Sequence, residues 1–293
     1  MRILVTGCKG QLGSEIIKQL KAKKSEIGPI PKCYTNATVV GVDINDFDLS
    51  DKQLVKENLR SGSYDIVFNC AAFTNVNACE TNQDTAFAAN ALAIRNLAEV
   101  CENTATKLVH VSTDYVFAGN ASEPYREYDE PQPVTIYGKT KLAGERYVQE
   151  RCRRHFVVRT AWLYGYNGNN FVKTIMRNAK EKGQLKVVND QFGNPTSAVD
   201  LAHHLLEIAH GNRYGVYHCT NNGVCSWYDF AKTIVELAGI DCVVEPCTTD
   251  EFPTAAKRPA YSALDNMMLR LTSGDHMREW QAALKEFISK VKL

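Results

Sequence analysis

The first half of the chain alternates short hydrophobic runs, rich in valine and isoleucine, with longer segments in which hydrophobic residues recur every three or four positions. The short runs are typical of β-strands, and the longer segments are typical of amphipathic helices. Because the runs are hydrophobic almost throughout, we expect parallel strands covered by helices on both faces, which is a doubly wound α/β sheet. The predicted strands are RILVT, ATVVGV, YDIVFNC, KLVHVS and HFVVRT, and the predicted helices begin near residue 11, cover 51–60 and 84–103, and begin again at 137.

The regular alternation ends near residue 160. Helices are then predicted at 170–183, 199–210, 227–238 and 276–290, with one short strand, LKVV, after the first of them. These pieces do not repeat the strand–helix order of the first half. We therefore expect a Rossmann-like core over residues 1–160 and a smaller C-terminal lobe over 161–293, with part of the second segment returning to the core. The segment KKSEIGPIPKCYTN, at 23–36, is expected to be an added surface loop.

Charge and hydropathy narrow the classes of partner. The chain has 34 Lys and Arg residues and 33 Asp and Glu residues, a formal net charge of +1, spread without blocks. This balance predicts neither nucleic-acid binding nor attraction to an anionic membrane. No hydrophobic run approaches the roughly 20 residues that span a bilayer, and the N-terminal sequence lacks the features of a signal peptide. A cytoplasmic protein that binds a small molecule is the expectation.

The ten cysteines are expected to be reduced thiols. Several lie inside strand-like or helical runs, where a thiol behaves as a small hydrophobic group. His218, Cys219 and Cys225 lie close in sequence, but they lack the paired CxxC spacing of a structural zinc site. No metal site is predicted.

A glycine-rich loop connects the first predicted strand to the first predicted helix. Gly7, Gly10 and Gly13 give the pattern GxxGxxG, and small residues here let backbone N–H groups and a helix N-terminus approach a pyrophosphate. A tight strand-to-helix turn is the alternative. Asp43 follows the second strand, where a carboxylate accepts hydrogen bonds from an adenosine ribose, although a turn aspartate would also fit there. The cofactor expected is NADH or NADPH, with NADH used at least as well, because the carboxylate would repel a 2′-phosphate.

Several motifs occur in one order along residues 1 to about 270. The GxxGxxG spacing, STDYVF at 112–117 and YGKTK at 137–141 together resemble the extended short-chain dehydrogenase/reductase superfamily. More narrowly, GCKGQLG, CAAFTNV, STDYVFAG, YGKTKLAGE, RTAWLYG, DQFGNPT and RPAYSAL are similar to the dTDP-4-dehydrorhamnose reductase family. The resemblance implies NAD(P)H-dependent reduction of the 4-keto group of dTDP-4-dehydro-L-rhamnose, a step in nucleotide-sugar and polysaccharide biosynthesis. It also leaves a homodimer open.

The resemblance assigns catalysis to Tyr137, Lys141 and Thr113. Spacing alone leaves a solvated helix face as an alternative, because residues four apart meet on any helix. A free phenol has a pKa of about 10, and an ammonium one helical turn away is expected to lower the pKa of Tyr137. Lys141 would also hydrogen-bond the nicotinamide ribose. Thr113 ends a predicted strand, where its hydroxyl is expected to hold the substrate carbonyl, with a turn or capping hydroxyl as the alternative.

The resemblance also assigns the remaining site residues. Those expected around the cofactor are Gly7, Gly10, Gln11, Leu12, Gly13, Asp43, Asp48, Leu49, Ala71, Ala72, Thr74, Asn90, Ser112, Tyr137 and Lys141, although Asp48 would also suit the N-cap of the next helix. Those expected around the substrate are Thr113, Asp114, Tyr115, Trp162, Asn170, Phe171, Gln191, Pro195, Thr196 and Arg258. Trp162 would lie against the 6-deoxyhexose unless it is a core residue, and the planar guanidinium of Arg258 suits a phosphate.

Departures from related patterns refine this hypothesis. Sugar-nucleotide dehydratases have an Asp-Glu pair after the threonine, whereas this chain has Asp114 and Tyr115, which favours reduction over dehydration. Asn77 replaces the acidic residue usual in the family. Glu15 matches one position of a magnesium site at the dimer interface of some relatives, but an exposed helix glutamate is the expectation here. A ketoreductase for another nucleotide-linked deoxysugar, and a non-catalytic subunit like the regulatory subunit of methionine adenosyltransferase, are the alternatives.

Overall fold

A computed structural model describes residues 1–291 of the protein. Its strands are β1 (Arg2–Thr6), β2 (Lys24–Ser25), β3 (Gly28–Pro29), β4 (Thr38–Val42), β5 (Ile66–Asn69), β6 (Lys107–Thr113), β7 (His155–Thr160), β8 (Leu163–Tyr164), β9 (Gln184–Val188), β10 (Phe192–Gly193), β11 (Thr196–Ser197), β12 (Gly215–His218), β13 (Cys225–Ser226) and β14 (Val243–Cys247).

The α-helices are α1 (Gln11–Ala22), α2 (Lys52–Gly62), α3 (Val76–Thr81), α4 (Gln83–Phe87), α5 (Ala93–Asn103), α6 (Ile136–Arg151), α7 (Phe171–Lys182), α8 (Ala198–His210), α9 (Trp227–Leu237), α10 (Met267–Thr272) and α11 (Trp280–Lys290). Two 3₁₀ turns lie at Lys32–Tyr34 and Asp114–Val116, and a π-helical segment lies at Ala88–Leu92. Within residues 1–291, no helix combines the length and the hydrophobicity needed to cross a membrane.

The central sheet has six parallel strands in the order β12-β7-β6-β5-β1-β4. Side chains alternate between its faces, so that Ile3 and Val5 pack with α1 and α8, whereas Leu4 packs with α2, α5 and α6. The predicted doubly wound Rossmann-like sheet is confirmed. The order in which successive strands are added to the sheet reverses between β1 and β5, and a ligand crevice is expected outside the carboxyl ends of strands at such a point.

A separate hydrophobic cluster holds the C-terminal elements together. It is built from α7, α9 and α11, with Phe230, Trp280 and Phe287 at its centre. In contrast, α8 and β12 pack into the core of the central sheet. The division into a core and a substrate-binding lobe stays a prediction, but these contacts show which segments each cluster contains.

The helix predicted over 84–103 is found from Gln83 to Asn103, with a π-helical segment at Ala88–Leu92 between α4 and α5. One prediction about local structure is wrong. The segment 23–36 is not only a surface loop, because Ile30 and Tyr34 are buried and the Tyr34 hydroxyl donates to the carbonyl of Leu206 at 2.9 Å. Burial against α8 gives this insertion a packing role.

Candidate active site

A cleft of about 600 Å³ lies at the carboxyl ends of the central strands. Its lining contains fifteen of the predicted site residues: Gly7, Gly10, Gln11, Leu12, Gly13, Asp43, Ala72, Thr74, Ser112, Thr113, Asp114, Tyr115, Tyr137, Lys141 and Trp162. A second cavity of about 330 Å³ adds Asp48, Leu49 and Ala71. The two cavities share Gly7, Asp43 and Ala72, so they form adjoining parts of one groove.

The glycine loop forms the floor between the two cavities. Gly7 has a φ of 63°, and a Cβ there would lie 2.9 Å from the backbone nitrogen of Ala71. Only glycine fits this position without displacing the backbone. The N-terminus of α1 follows directly at Gln11. A loop without side chains in front of a helix N-terminus fits a pyrophosphate, which is the group that a dinucleotide would place here.

Asp43 is held at the edge of this floor. Its carboxylate accepts hydrogen bonds from the backbone N–H of Lys9 at 3.0 Å and of Ile44 at 2.9 Å. The alternative considered for Asp48, capping of the next helix, is excluded, because Asp51 accepts from Gln53 and Leu54 at the start of α2. Asp48 instead accepts from the backbone N–H of Ser50.

Helix α6 carries the YGKTK motif into the cleft. Thr135 caps the helix by accepting from the backbone N–H of Gly138 at 3.0 Å. Gly138 itself is needed for close approach, since a Cβ there would lie 2.1 Å from the carbonyl oxygen of Tyr115. The helix therefore packs directly on the 3₁₀ turn at Asp114–Val116, and Tyr137 meets Tyr115 edge to face with ring centroids 5.6 Å apart.

The electrostatics of Tyr137 and Lys141 differ from the prediction. Burial raises the pKa of Tyr137, while the nearby hydroxyl of Thr113 acts to lower it. The ammonium of Lys141 donates to the carbonyl oxygen of Val111 at 2.7 Å. Burial lowers the pKa of Lys141 to about 8, with the carboxylate of Glu145 opposing that change. The expected lowering of the phenol pKa by Lys141 is therefore wrong in this state, because removal from water dominates at both groups.

Thr113 lies between Tyr137 and a buried carboxyl group. Its Oγ1 donates to Oδ1 of Asp114 at 2.9 Å and accepts from the backbone N–H of Tyr115 at 3.2 Å. Burial raises the pKa of Asp114 to about 6. The capping role considered as an alternative for Thr113 is thus present, together with a position in the cleft beside Tyr137.

Trp162 lines the cleft next to a second tryptophan, Trp227, that the sequence did not indicate. Its indole stacks on that of Trp227, with ring centroids 3.5 Å apart and planes 7° apart. Phe171 contacts the same partner, at 4.4 Å between centroids. Trp162 and Trp227 both face the cleft, so the aromatic surface there is a pair of indoles.

In the described part of the chain, seven predicted residues line neither cavity: Asn90, Asn170, Phe171, Gln191, Pro195, Thr196 and Arg258. Asn90 holds the loop that contains Phe73, because its Oδ1 accepts from the backbone N–H of Phe73 at 2.8 Å. Arg258 donates to the Tyr115 hydroxyl at 2.9 Å and to Oδ1 of Asn77 at 3.0 Å. Arg258 thus reaches the rim of the cleft through Tyr115, and both of these partners are neutral.

The cleft also contains residues absent from the predicted set. These are Cys70, Val76, Val111, Thr160, Ala161, Leu163, Gly168, Asn169 and Trp227. Thr160 ends β7, and Ala161 and Leu163 flank Trp162 directly after it, so their position at a strand end is a usable signal. Trp227 begins α9 far along the chain, and no local pattern indicates that it faces the cleft.

Glu15 is buried, contrary to the exposed position expected. It is 5% exposed, its carboxylate pairs with Lys18 at 3.3 Å, and Gln19 donates to it. Burial raises its pKa. Within residues 1–291, no group of three or more His, Cys, Asp and Glu side chains is arranged to hold a metal ion.

Residues 1–293 match the family model described as the RmlD substrate binding domain. The chain belongs to this family. It is 37% identical over 289 residues to the spore coat polysaccharide biosynthesis protein SpsK of Bacillus subtilis, covering 99% of this chain and 97% of that protein.

Solved structures agree with this membership. A dTDP-4-dehydrorhamnose reductase of Clostridium acetobutylicum is 48% identical, with a TM-score of 0.93 and 99% of both chains covered. The dTDP-4-dehydrorhamnose reductase of Bacillus anthracis, solved in complex with NADP, is 39% identical, with a TM-score of 0.91 and 99% of both chains covered. The similarity therefore extends over the full length of the chain and is not confined to the glycine loop.

Proposed function

We propose that this protein reduces the 4-keto group of dTDP-4-dehydro-L-rhamnose with NADH or NADPH, giving dTDP-L-rhamnose. The observation that carries the proposal is the cleft that brings Tyr137, Thr113 and Lys141 together beside the glycine loop, in a family whose members are named as this reductase. The enzyme is an NAD(P)H-dependent oxidoreductase of nucleotide-sugar biosynthesis.

The groove accounts for cofactor binding by its own chemistry. The loop of Gly7, Gly10 and Gly13 would hold the pyrophosphate, and the carboxylate of Asp43 would accept hydrogen bonds from the adenosine ribose. Ile44, Leu49 and the small residues around the second cavity would border the adenine. When bound, the nicotinamide supplies the hydride that reduces the ketone.

The remaining chemistry is proton transfer and alignment by this chain. Tyr137 donates its phenolic proton to the 4-oxygen of the substrate as charge develops there. Thr113 positions that phenol, and the ammonium of Lys141 provides positive charge at the base of the cleft. Thr113, Tyr137 and Lys141 are all buried, so a substrate bound over them would keep water from the reacting atoms.

The sugar nucleotide is assigned to the other wall of the cleft. Trp162 and Trp227 offer an apolar surface for the 6-deoxyhexose, and Tyr115 and Asp114 belong to the same lining. Arg258 suits the diphosphate, because the two side chains that hold it are neutral and leave its charge uncompensated.

A ketoreductase for another nucleotide-linked deoxysugar is the second candidate, supported by the similarity to the spore coat protein SpsK. The non-catalytic subunit is less well supported, because the chain retains Thr113, Tyr137 and Lys141 in one cleft.

The deciding experiment is a spectrophotometric assay of cofactor oxidation with a panel of dTDP-linked and other nucleotide-linked 4-keto sugars. We expect dTDP-4-dehydro-L-rhamnose to give the highest kcat/KM, and NADH to support turnover at a rate at least comparable with NADPH. A preference for NADPH of more than about tenfold, or 1.4 kcal/mol, would contradict the role of Asp43. Oxidation with no sugar of the panel would contradict the proposed function.

A further inference from the structure

The segment 165–170, which connects β8 to α7, lies against the glycine loop. The side-chain amide of Asn167 donates to the carbonyl oxygen of Lys9 at 2.7 Å. Further along the segment, Nδ2 of Asn170 donates to Oε1 of Gln11 at 3.0 Å. Two asparagines from the second half of the chain therefore contact the loop that is expected to hold the pyrophosphate.

The side-chain amide of Asn170 has a fixed orientation. Its Oδ1 accepts from the backbone N–H of Lys173 at 3.1 Å and so caps α7. Its Nδ2 donates to the carbonyl oxygen of Gly165 at 2.8 Å, in addition to its bond to Gln11. A backbone N–H can only donate and a backbone carbonyl oxygen can only accept, so the oxygen and the nitrogen of this amide cannot exchange places.

This orientation determines which end of the Gln11 amide is free. Because Nδ2 of Asn170 is a donor, the atom of Gln11 that faces it is the acceptor, Oε1. Within residues 1–291, Nε2 of Gln11 has no hydrogen-bond partner. Gln11 is only partly buried and lines the cleft, so its NH₂ group is available to a ligand. A Cβ on Gly165 would lie 3.4 Å from the Cβ of Gln11, which shows how closely the segment packs on this side chain.

The surroundings of Gln11 favour an anionic ligand. Gln11 is the first residue of α1, and this helix has neither a side-chain cap nor an acidic residue in its first turn. The backbone N–H groups of that turn are therefore free to donate, and the helix dipole adds positive potential. The nearby ammonium of Lys173 donates to the carbonyl oxygens of Tyr166 and Gly168, and in the described part of the chain it forms no ion pair.

The acidic residues in the lining of the cleft do not compete for the Gln11 amide. Asp43 accepts from the backbone N–H groups of Lys9 and Ile44, and Asp114 accepts from Thr113. The anion expected beside a helix N-terminus of this kind is the pyrophosphate of a dinucleotide.

We propose that Asn170 is a positioning residue of the cofactor site, which orients the Gln11 amide so that Nε2 donates a hydrogen bond to the pyrophosphate of NADH or NADPH. Asn170, predicted from the sequence to bind the substrate, lines neither cavity, and its amide acts through Gln11 instead. The inference rests on the cofactor of the proposed function and is independent of which sugar is reduced.

The first test is a double-mutant cycle in which NADH affinity is measured by fluorescence titration without any sugar. Gln11→Met keeps the length of the side chain and removes the donor, so NADH affinity should fall by about tenfold, the lower end of the range for a hydrogen bond to a charged group. Asn170→Ser keeps a hydroxyl that can cap α7 but cannot reach Gln11, and it should lower the affinity by a smaller factor.

The double variant decides between a positioning role and a structural one. In the Gln11→Met background, Asn170→Ser should cause no further loss of NADH affinity, because Asn170 acts through the Gln11 amide. Losses that multiply would show that Asn170 only holds the segment in place, and they would overturn the proposal. Asn58→Ser is the matched control, since Asn58 is exposed on α2 and lines neither cavity, and it should bind NADH as the wild type does.

The second test locates the hydrogen bond on the cofactor. ADP-ribose contains the pyrophosphate but lacks the nicotinamide, so Gln11→Met should weaken its binding, measured by calorimetry, by the same factor as that of NADH. A loss for NADH alone would place the amide at the nicotinamide and overturn the proposal.

Thermal unfolding of each variant completes the design. If Asn170→Ser does not fold, Gln11→Met, which leaves the cap of α7 in place, still tests the donor, and unchanged NADH affinity in that variant excludes the proposal. If the expected losses of affinity are found but no 4-keto sugar is reduced, the proposed function fails and the role of Asn170 stands. If the wild type reduces the sugar and Gln11→Met binds NADH normally, the proposed function stands and the inference fails.

Discussion

Trp162 has a backbone conformation that residues with a side chain rarely adopt, with a φ of 46°. A left-handed conformation of this kind costs about 1–2 kcal/mol. In this conformation the indole of Trp162 is nearly parallel to that of Trp227, which covers one of its faces. A sugar therefore cannot use both faces of Trp162. The expectation from sequence, a single tryptophan against the deoxyhexose, becomes an expectation that both indoles shape the sugar pocket.

Removing either indole should affect the sugar nucleotide and spare the cofactor. We expect Trp162→Ala and Trp227→Ala each to raise KM for the sugar nucleotide, with NADH affinity nearly unchanged. Trp280→Phe is the control, since Trp280 is buried in the C-terminal cluster against Phe230. Steady-state kinetics and fluorescence titration of NADH give the two values. Loss of both ligands together, or an unfolded variant, would assign Trp162 to the core.

Burial of the Asp114 carboxyl group should make the stability of the protein depend on pH. Its pKa rises from 3.8 to about 6 on folding, so the folded state binds the proton more tightly than the unfolded state. The stabilisation is complete below about pH 4 and is lost as the pH rises through 6, by about 3 kcal/mol for a shift of about two units. Urea unfolding of wild type and Asp114→Asn across this range measures it. A difference between the two proteins that does not change with pH would contradict the raised pKa of Asp114 in the folded state.

At the scale of elements, the placement of the acid depends on how closely α6 approaches the 3₁₀ turn at Asp114–Val116. Gly138 permits this approach, because a Cβ there would meet the Tyr115 carbonyl at 2.1 Å. Alanine is the better helix former by about 1 kcal/mol. The glycine is therefore retained for the position of Tyr137 relative to Thr113 and not for the stability of the helix.

Gly138→Ala should accordingly reduce activity more than it reduces helix content. A displacement of the order of 1 Å between Tyr137 and its partners is expected to lower kcat by about 10²-fold. Lys139→Ala, an exposed change on the same helix, should leave kcat near that of the wild type. The measurements are kcat and far-ultraviolet circular dichroism. Wild-type kcat in Gly138→Ala would show that the close packing does not set the geometry of the acid.

The elements themselves could be predicted where their patterns are local. RILVT, HFVVRT and the helix that begins with YGKTK are found as expected, since strand and helix periodicity is visible within a few residues. The π-helical segment inside 84–103 could not be predicted this way, because no local pattern marks it, and its Asn90 accepts from the backbone of Phe73 in a loop outside the helix. Tyr34 was placed in a surface loop for the same reason, since its partner Leu206 lies on α8.

At the scale of the whole molecule, a buried ion pair joins α6 to the central sheet. Arg159 on β7 donates to the carboxylate of Glu145 on α6 at 2.8 Å, and the two side chains are 3% and 0% exposed. Arg159 also lies 3.4 Å from Nε2 of His218 on β12, whose pKa is lowered to about 3 by burial, so that the imidazole is neutral. This network fixes the helix that carries Tyr137 and Lys141 on the sheet that carries Thr113.

Arg159→Met should destabilise the protein by about 3–5 kcal/mol, because it leaves the carboxylate of Glu145 buried and unpaired. Glu145→Gln in the same chain should recover part of that loss by removing the charge. The free energies of unfolding of the wild type, both single variants and the double variant complete the cycle. Additive effects would show that the pair is not coupled.

The site also shows where sequence reasoning stops. The glycine loop, Thr113 and Tyr137 lie at strand ends or helix starts that the pattern reveals, and they do meet in one cleft. Trp227 and the bond from Arg258 to Asn77 depend on how the C-terminal segments fold back, which no local pattern encodes. Whether the pKa of Tyr137 is raised or lowered depends on burial, and the spacing of residues in the sequence does not reveal burial.

The central claim is that Tyr137 is the acid of an NAD(P)H-dependent reductase, and the most direct measurement pairs kcat for dTDP-4-dehydro-L-rhamnose with NADH affinity in Tyr137→Phe. Phenylalanine keeps the ring and its packing but removes the transferable proton, so we predict NADH affinity like that of the wild type and a kcat lower by roughly 10² to 10⁴. Lys141→Met, measured alongside, should lose both turnover and NADH affinity. Turnover at the wild-type rate in folded Tyr137→Phe would contradict the account.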